Sequence, residues 1–190
     1  MIKSLNNLAG KTLVSSPSTD PNSYFAKSVI YIVKHDADGA IGLIVNYPIR
    51  NLPKNLHIRN SWDQDGEDFK FNQIRSYIGG PVDVDKGFIL HSNDYVKNVI
   101  EKNTSIFLSS NIEVLKDIQK GMGPKNSLFL FGYCGWDKNQ LEQEIRDNMW
   151  LISDSDEKTI FKENDNSKWD SAISKLNIDP AYYSNTAGNC

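Results

Sequence analysis

Two apolar runs, Ser28-Val29-Ile30-Tyr31-Ile32-Val33 and Ala40-Ile41-Gly42-Leu43-Ile44-Val45, flank the polar stretch Lys34-His35-Asp36-Ala37-Asp38-Gly39. β-Branched and aromatic residues predict strands, and the aspartates with Gly39 predict the turn of a hairpin. Neither run alternates cleanly between apolar and polar, so both strands are expected to be covered on both faces. That requirement constrains the fold most, because a hairpin dry on both sides needs further layers around it. A chain of 190 residues, 39% hydrophobic and 24% charged, is long enough to supply them as one globular domain.

The remaining elements follow from pattern and punctuation. Thr12-Leu13-Val14-Ser15 predicts a short strand, and Ser16-Pro17 and Asp20-Pro21 interrupt the chain after it. Tyr77-Ile78, Gly87–His91, Ser105–Leu108 and Leu128–Phe131 predict further strands. Ser110-Asn111-Ile112-Glu113 reads as a capping box opening a helix with Ile112, Leu115 and Ile118 inward. Asp137 and Gln140 read as the start of a second helix, with Leu141, Ile145 and Met149 at spacing four. A third is expected from about Ser167, with Trp169, Ala172, Ile173 and Leu176 inward and Asp179-Pro180 at its end. Residues 50–76 form a polar insertion, with a short helix expected around Leu52 and Leu56 and an acidic loop at 63–68. Strands gathered early and helices late favour an α+β fold with a mixed sheet.

Composition excludes several classes of function. Lys and Arg total 21 against 24 Asp and Glu, a net charge of −3, and neither half of the chain is basic. Direct nucleic-acid binding therefore stays open but is not favoured. No apolar run reaches the length of a membrane span, so no membrane residence is expected. Two cysteines, Cys134 and Cys190, and a polar N-terminus fit a cytoplasmic setting. His35, His57 and His91 contain no i,i+4 pair, and Asp63-Gln64-Asp65-Gly66 lacks calcium-loop spacing, so no metal is expected. No Walker loop or dinucleotide fingerprint is present, and no cofactor is assigned.

An ordered series of motifs resembles the bacterial YqgE/AlgH family. It runs from Asp20-Pro21 through Ser28–Tyr31, His35-Asp36, Gly39–Asn46, Pro48, Gly79–Val82, Gly87–His91, Gly132-Tyr133, Gly135-Trp136, Gln140–Ile145, Trp150-Leu151 and Trp169. The match covers nearly the whole chain apart from the insertion and the ends. The resemblance implies a single α+β domain with a strongly bent, barrel-like mixed sheet surrounded by helices. It carries a transcriptional-regulator label from a link to alginate production and supplies no established catalytic residue. Two departures stand out. Cys134 occupies the position of a small apolar residue, and the chain ends Ala187-Gly188-Asn189-Cys190 where the family tends toward Gly-His-Ala.

The candidate ligand or partner surface is Gly79, Gly80, His91, Gly135 and Trp136. Glycines let a ligand approach the backbone, successive amides form anion nests, and a helix start near Gly135 would add a favourable dipole. Corners in a bent sheet need the same glycines, and that reading weighs more. Trp136 either stacks a ligand or anchors a core. His91, at a strand end, either joins the surface or ties to backbone groups. No catalytic residue is assigned, although Cys134 in a strand-to-helix turn faintly resembles a nucleophile elbow. The leading expectation is a regulatory or binding protein acting through a small molecule or a protein partner. An enzyme of unknown reaction, using Cys134 or His35, and a direct DNA-binding regulator are the alternatives.

Overall fold

The computed structural model describes residues 7–50 and 75–178. The hairpin forms as β2 (Val29–Asp36) and β3 (Gly39–Ile44), paired antiparallel with Asp36 opposite Gly39. β2 runs three residues further than its apolar run, so only Ala37 and Asp38 make the turn, and Asp38 N–H donates to Asp36 Oδ1 at 2.9 Å. β1 (Lys11–Ser15) pairs with β2, and β9 (Trp150–Asp154), which the sequence reading missed, pairs with β1.

β8 (Ser127–Asp137) is the spine of the sheet. Its first residues pair antiparallel with β5 (Val82–Ser92) and parallel with β4 (Ser76–Ile78), and its last four pair with β3. The full order is β6-β7-β5-β8-β3-β2-β1-β9, with β6 (Val99–Asn103) and β7 (Ile106–Ser109) at the far end and β4 beside β8. The partner change falls around Gly132, whose φ of +69° only glycine adopts easily. The β5 register also shifts between Val82 and Gly87, and both irregularities bend the sheet. It curls until the β6 edge faces β2, where Asn103 Nδ2 donates to Val33 O at 2.7 Å. The result is a half-barrel within an α+β domain.

This curl explains why β2 does not alternate. Val29, Tyr31 and Val33 face the concavity, with Phe88, Leu90, Leu108, Leu128 and Leu130. Trp169, Ala172 and Ile173 of α3 (Asp165–Lys175) fill that concavity. Ile30 and Ile32 face outward, in a second cluster with Trp136, Trp150 and Leu141 of α2 (Gln140–Arg146). A third cluster joins Ile89, Phe129 and Phe131 to Ile112, Val114 and Leu115 of α1 (Ile112–Gln119). Each such side chain removed from water contributes about 1.5–3 kcal/mol, so helices on both faces are what make an unalternating strand stable.

The helix ends depart from expectation in detail. Asn111 caps α1, accepting from Glu113 N–H at 2.9 Å, while the Ser110 hydroxyl donates to Gly87 O at 2.9 Å. Asp137 does not cap α2; it ends β8, and Gln140 Oε1 accepts its N–H at 2.9 Å. Asn164 caps α3, which starts two residues before Ser167. A π-helical turn at Lys158–Lys162 has no counterpart in the sequence reading. The expected helix near Leu52, the acidic loop, most of the insertion, His57 and Asp179-Pro180 lie outside the described residues.

Candidate functional site

Gly79 and Gly80 run directly against β8. Gly79 N–H donates to Phe131 O at 2.6 Å, and Gly79 O accepts from Ile44 N–H at 2.8 Å. A Cβ on Gly79 would stand 2.3 Å from Gly132 O, and one on Gly80 would stand 2.1 Å from the Tyr133 carbonyl carbon. Both glycines are buried, and the Gly79 amide is already spent on β8. They serve the crossing of two backbones.

The other candidate residues separate. Gly135 is exposed and lies opposite Ile41, with only the Tyr133 ring near its Cβ position, at 3.4 Å. No helix begins there, because α2 starts five residues later and β8 continues through Gly135 to Asp137; the expected dipole is absent. Trp136 is buried beneath α2, its indole N–H donating to Glu144 Oε2 at 2.8 Å. His91 is fully buried opposite Ser127, nine residues down β8 from Trp136, about 30 Å of strand. Its Nδ1 lies 2.9 Å from Ser92 O, which fixes the proton there, so Nε2 accepts from the Ser109 hydroxyl at 2.9 Å. Burial holds the imidazole pKa below its ordinary value.

The two residues of the enzyme alternative are also accounted for. Cys134 sits within β8 rather than at a strand-to-helix turn. Burial pushes its thiol up to about 12, and it contacts Gly79 O at 3.6 Å. A nucleophile needs the thiolate, which such a site suppresses. His35 Nδ1 accepts from Leu8 N–H at 2.9 Å, leaving Nε2–H to donate to Glu142 Oε1 at 3.0 Å.

The half-barrel does leave one recess at its seam. Between β2 and β6 lies a cavity of about 200 Å³. Val33, Phe88, Leu108 and Tyr133 form its floor, and exposed Ile41 and Ile100 form its lips. Lys34, Lys86 and Glu101 stand at the rim. The local cause is legible: β2 bulges between Ile32 and Lys34, which turns Val33 out of register with β3. Tyr133 meets Phe88 edge to face at 6.1 Å, and Lys86 Nζ lies 5.7 Å from the Phe88 ring centre. None of Gly79, Gly80, His91, Gly135 and Trp136, the candidate surface read from the sequence, lines this recess. The missed signal is Val82-Asp83-Val84-Asp85-Lys86, an alternating run that leads straight into Gly87 and Phe88.

A second polar cluster was also missed. Lys168, 1% exposed on the inward face of α3, donates to Val45 O at 2.8 Å and Ile160 O at 2.9 Å. Asp165 lies 3.6 Å from it and is bound in turn by Arg75 and the Tyr77 hydroxyl. Burial pulls the Lys168 pKa down to about 8 against the attraction of Asp165. The cluster ties α3 to the sheet. Among the described residues no group of three or more His, Cys, Asp or Glu could hold a metal ion. No helix among them is long and apolar enough to cross a membrane.

A family model described as AlgH-like matches residues 12–181. The chain belongs to the AlgH-like family. The UPF0301 proteins of Rickettsia canadensis and Rickettsia prowazekii are each 40% identical to this AlgH-like chain over 188 residues, 98% of both chains. The solution structure of the AlgH protein from Pseudomonas aeruginosa superposes with a TM-score of 0.75 at 30% identity and covers all of both chains. A crystal structure of a protein from Corynebacterium diphtheriae, 18% identical, shares the fold with a TM-score of 0.67 over 92% of this chain and 90% of its own. The fold of this AlgH-like chain is thus shared by a sequence as distant as 18% identity.

Proposed function

We propose that this AlgH-like chain acts by binding, as a regulatory protein whose small ligand seats in the seam recess between β2 and β6. The cavity of about 200 Å³ carries the reading. An apolar cavity of roughly 150 Å³ takes a benzene ring, so this one has room for a ring or a short branched chain. Its walls come from six strands, which hold them in place without a ligand. The regulatory step follows from the seam itself. A ligand wedged between β2 and β6 adds contacts beside the Asn103–Val33 hydrogen bond, shifts the population toward one seam geometry and alters the surface offered to a partner protein. A cytoplasmic setting accompanies this reading.

The engaged state of Cys134 and His35 weighs against the enzyme alternative. The DNA alternative gains nothing from α1, where Lys116 is paired with Glu113 at 3.1 Å and three residues are buried in the domain. The test is a fragment titration followed by methyl and amide NMR. Shifts concentrated at Val33, Ile41, Ile100, Leu108 and Tyr133 are expected. A fragment set that leaves these resonances still, or moves only residues elsewhere, overturns the proposal.

A further inference from the structure

We infer that the seam recess takes a small monocarboxylate with an apolar body, its carboxylate held by the Lys86 ammonium and the Tyr133 hydroxyl. This rests on the binding reading above and names the ligand's chemistry. Phe88 organises the arrangement, since the Tyr133 ring stands 6.1 Å from its ring at 84° and Lys86 Nζ stands 5.7 Å from it. One cation and one phenol therefore flank a single aromatic surface.

Neither Lys86 nor the Tyr133 hydroxyl has an ion-pair or hydrogen-bond partner among the described residues. Other groups of the same kind are engaged. Lys34, at the same rim, is neutralised by Asp36 at 2.8 Å. The hydroxyls of Tyr47 and Tyr95 are bound to Ala26 O at 2.7 Å and Asp117 at 2.9 Å. A carboxylate accepts from an ammonium and a phenol together, and charge-assisted bonds of this kind are roughly twice as strong as neutral ones.

The rest of the lining narrows the class. Val33, Phe88 and Leu108 are buried apolar surfaces, so the body of the ligand must be apolar. Glu101 at the rim repels a second negative charge, which favours a monoanion over a phosphate or a dicarboxylate. The volume admits one aromatic ring or a short branched acyl chain and excludes a long lipid tail.

Phenylacetate and its uncharged counterpart 2-phenylethanol are the probes, titrated by NMR at pH 7 into the full chain and into Lys86→Met and Lys86→Arg. Phenylacetate is expected to move Ile41, Leu108 and Tyr133 resonances, and to bind at least tenfold more weakly to Lys86→Met while Lys86→Arg keeps most of the affinity. 2-Phenylethanol is expected to bind the parent chain and Lys86→Met alike. If both probes move the recess but the acid binds no tighter than the alcohol, or Lys86→Met binds it undiminished, the carboxylate assignment is overturned and the binding reading stands. If neither probe moves the recess, the assignment and this site both fall. A dispersed spectrum for Lys86→Met shows that any loss is not unfolding.

Discussion

Trp136 and Trp150 point their indole N–H groups at the same oxygen of Glu144, at 2.8 and 2.7 Å, with their rings 6.2 Å apart and nearly perpendicular. Trp136 belongs to the end of β8, Trp150 to the start of β9, and Glu144 to α2 between them. One carboxylate therefore fixes a short helix over the outer face of the half-barrel. Glu144→Ala leaves two buried donors without an acceptor, and the expected loss is about 2–4 kcal/mol. Urea unfolding of the two proteins measures it; a loss under about 1 kcal/mol would show that water replaces the carboxylate at no great cost.

Lys168 gives the stability curve a feature on the alkaline side. Its pKa is near 8 in the fold and 10.5 for an ordinary lysine, so between those values the unfolded chain holds more protons than the native one. Stability contributed by this group therefore rises with pH from about 8 to 10.5, by on the order of 2–3 kcal/mol. Lys168→Met removes the titration, and its own stability is lower because Val45 O and Ile160 O lose their donor. Unfolding free energies at pH 7.5, 9 and 10.5 should rise with pH for the parent and stay flatter for the variant. Parallel curves would mean that Lys168 titrates normally.

Two of the three glycines of the candidate surface, Gly80 and Gly135, should respond differently to a methyl group. Gly80→Ala drives a Cβ into the Tyr133 and Cys134 backbone, and a loss above about 2 kcal/mol is expected. Gly135→Ala meets only the Tyr133 ring at 3.4 Å and should fall within about 0.5 kcal/mol of the parent. Thermal melting of both variants checks this, and equal losses would contradict the close crossing of Gly79-Gly80 with β8.

Cys134 should resist a thiol reagent at neutral pH. Its burial raises the thiol to about 12, so both access and thiolate are lacking. In a Cys190→Ser background, labelling is expected only at the rate of unfolding. Rapid modification of the native chain would reopen the nucleophile reading.

The hairpin was legible because its cause is local: β-branched runs around a turn read the same way before and after folding. α1 was legible because Ile112 and Leu115 repeat on one face. β6 and β9 were not, since Glu101 and Lys102, or Ser153 and Asp154, look like loop until a neighbouring strand supplies their hydrogen bonds. β8 was cut short at Gly132 for a related reason. A glycine inside an apolar run marks either a strand end or a bend, and only the switch of partners from β4 and β5 to β3 makes it a bend.

By itself, the sequence determined a two-sided hairpin, an α+β domain and the family, because periodicity, turn chemistry and motif order are properties of the chain read in line. The tertiary structure alone decided what the polar residues do. It used Gly79 and Gly80 for a backbone crossing, buried His91 and Cys134, joined Trp136 to Trp150 through Glu144, and left Lys86 and Tyr133 beside Phe88. Those assignments depend on distances between residues far apart in the chain, and the curl of the sheet sets them.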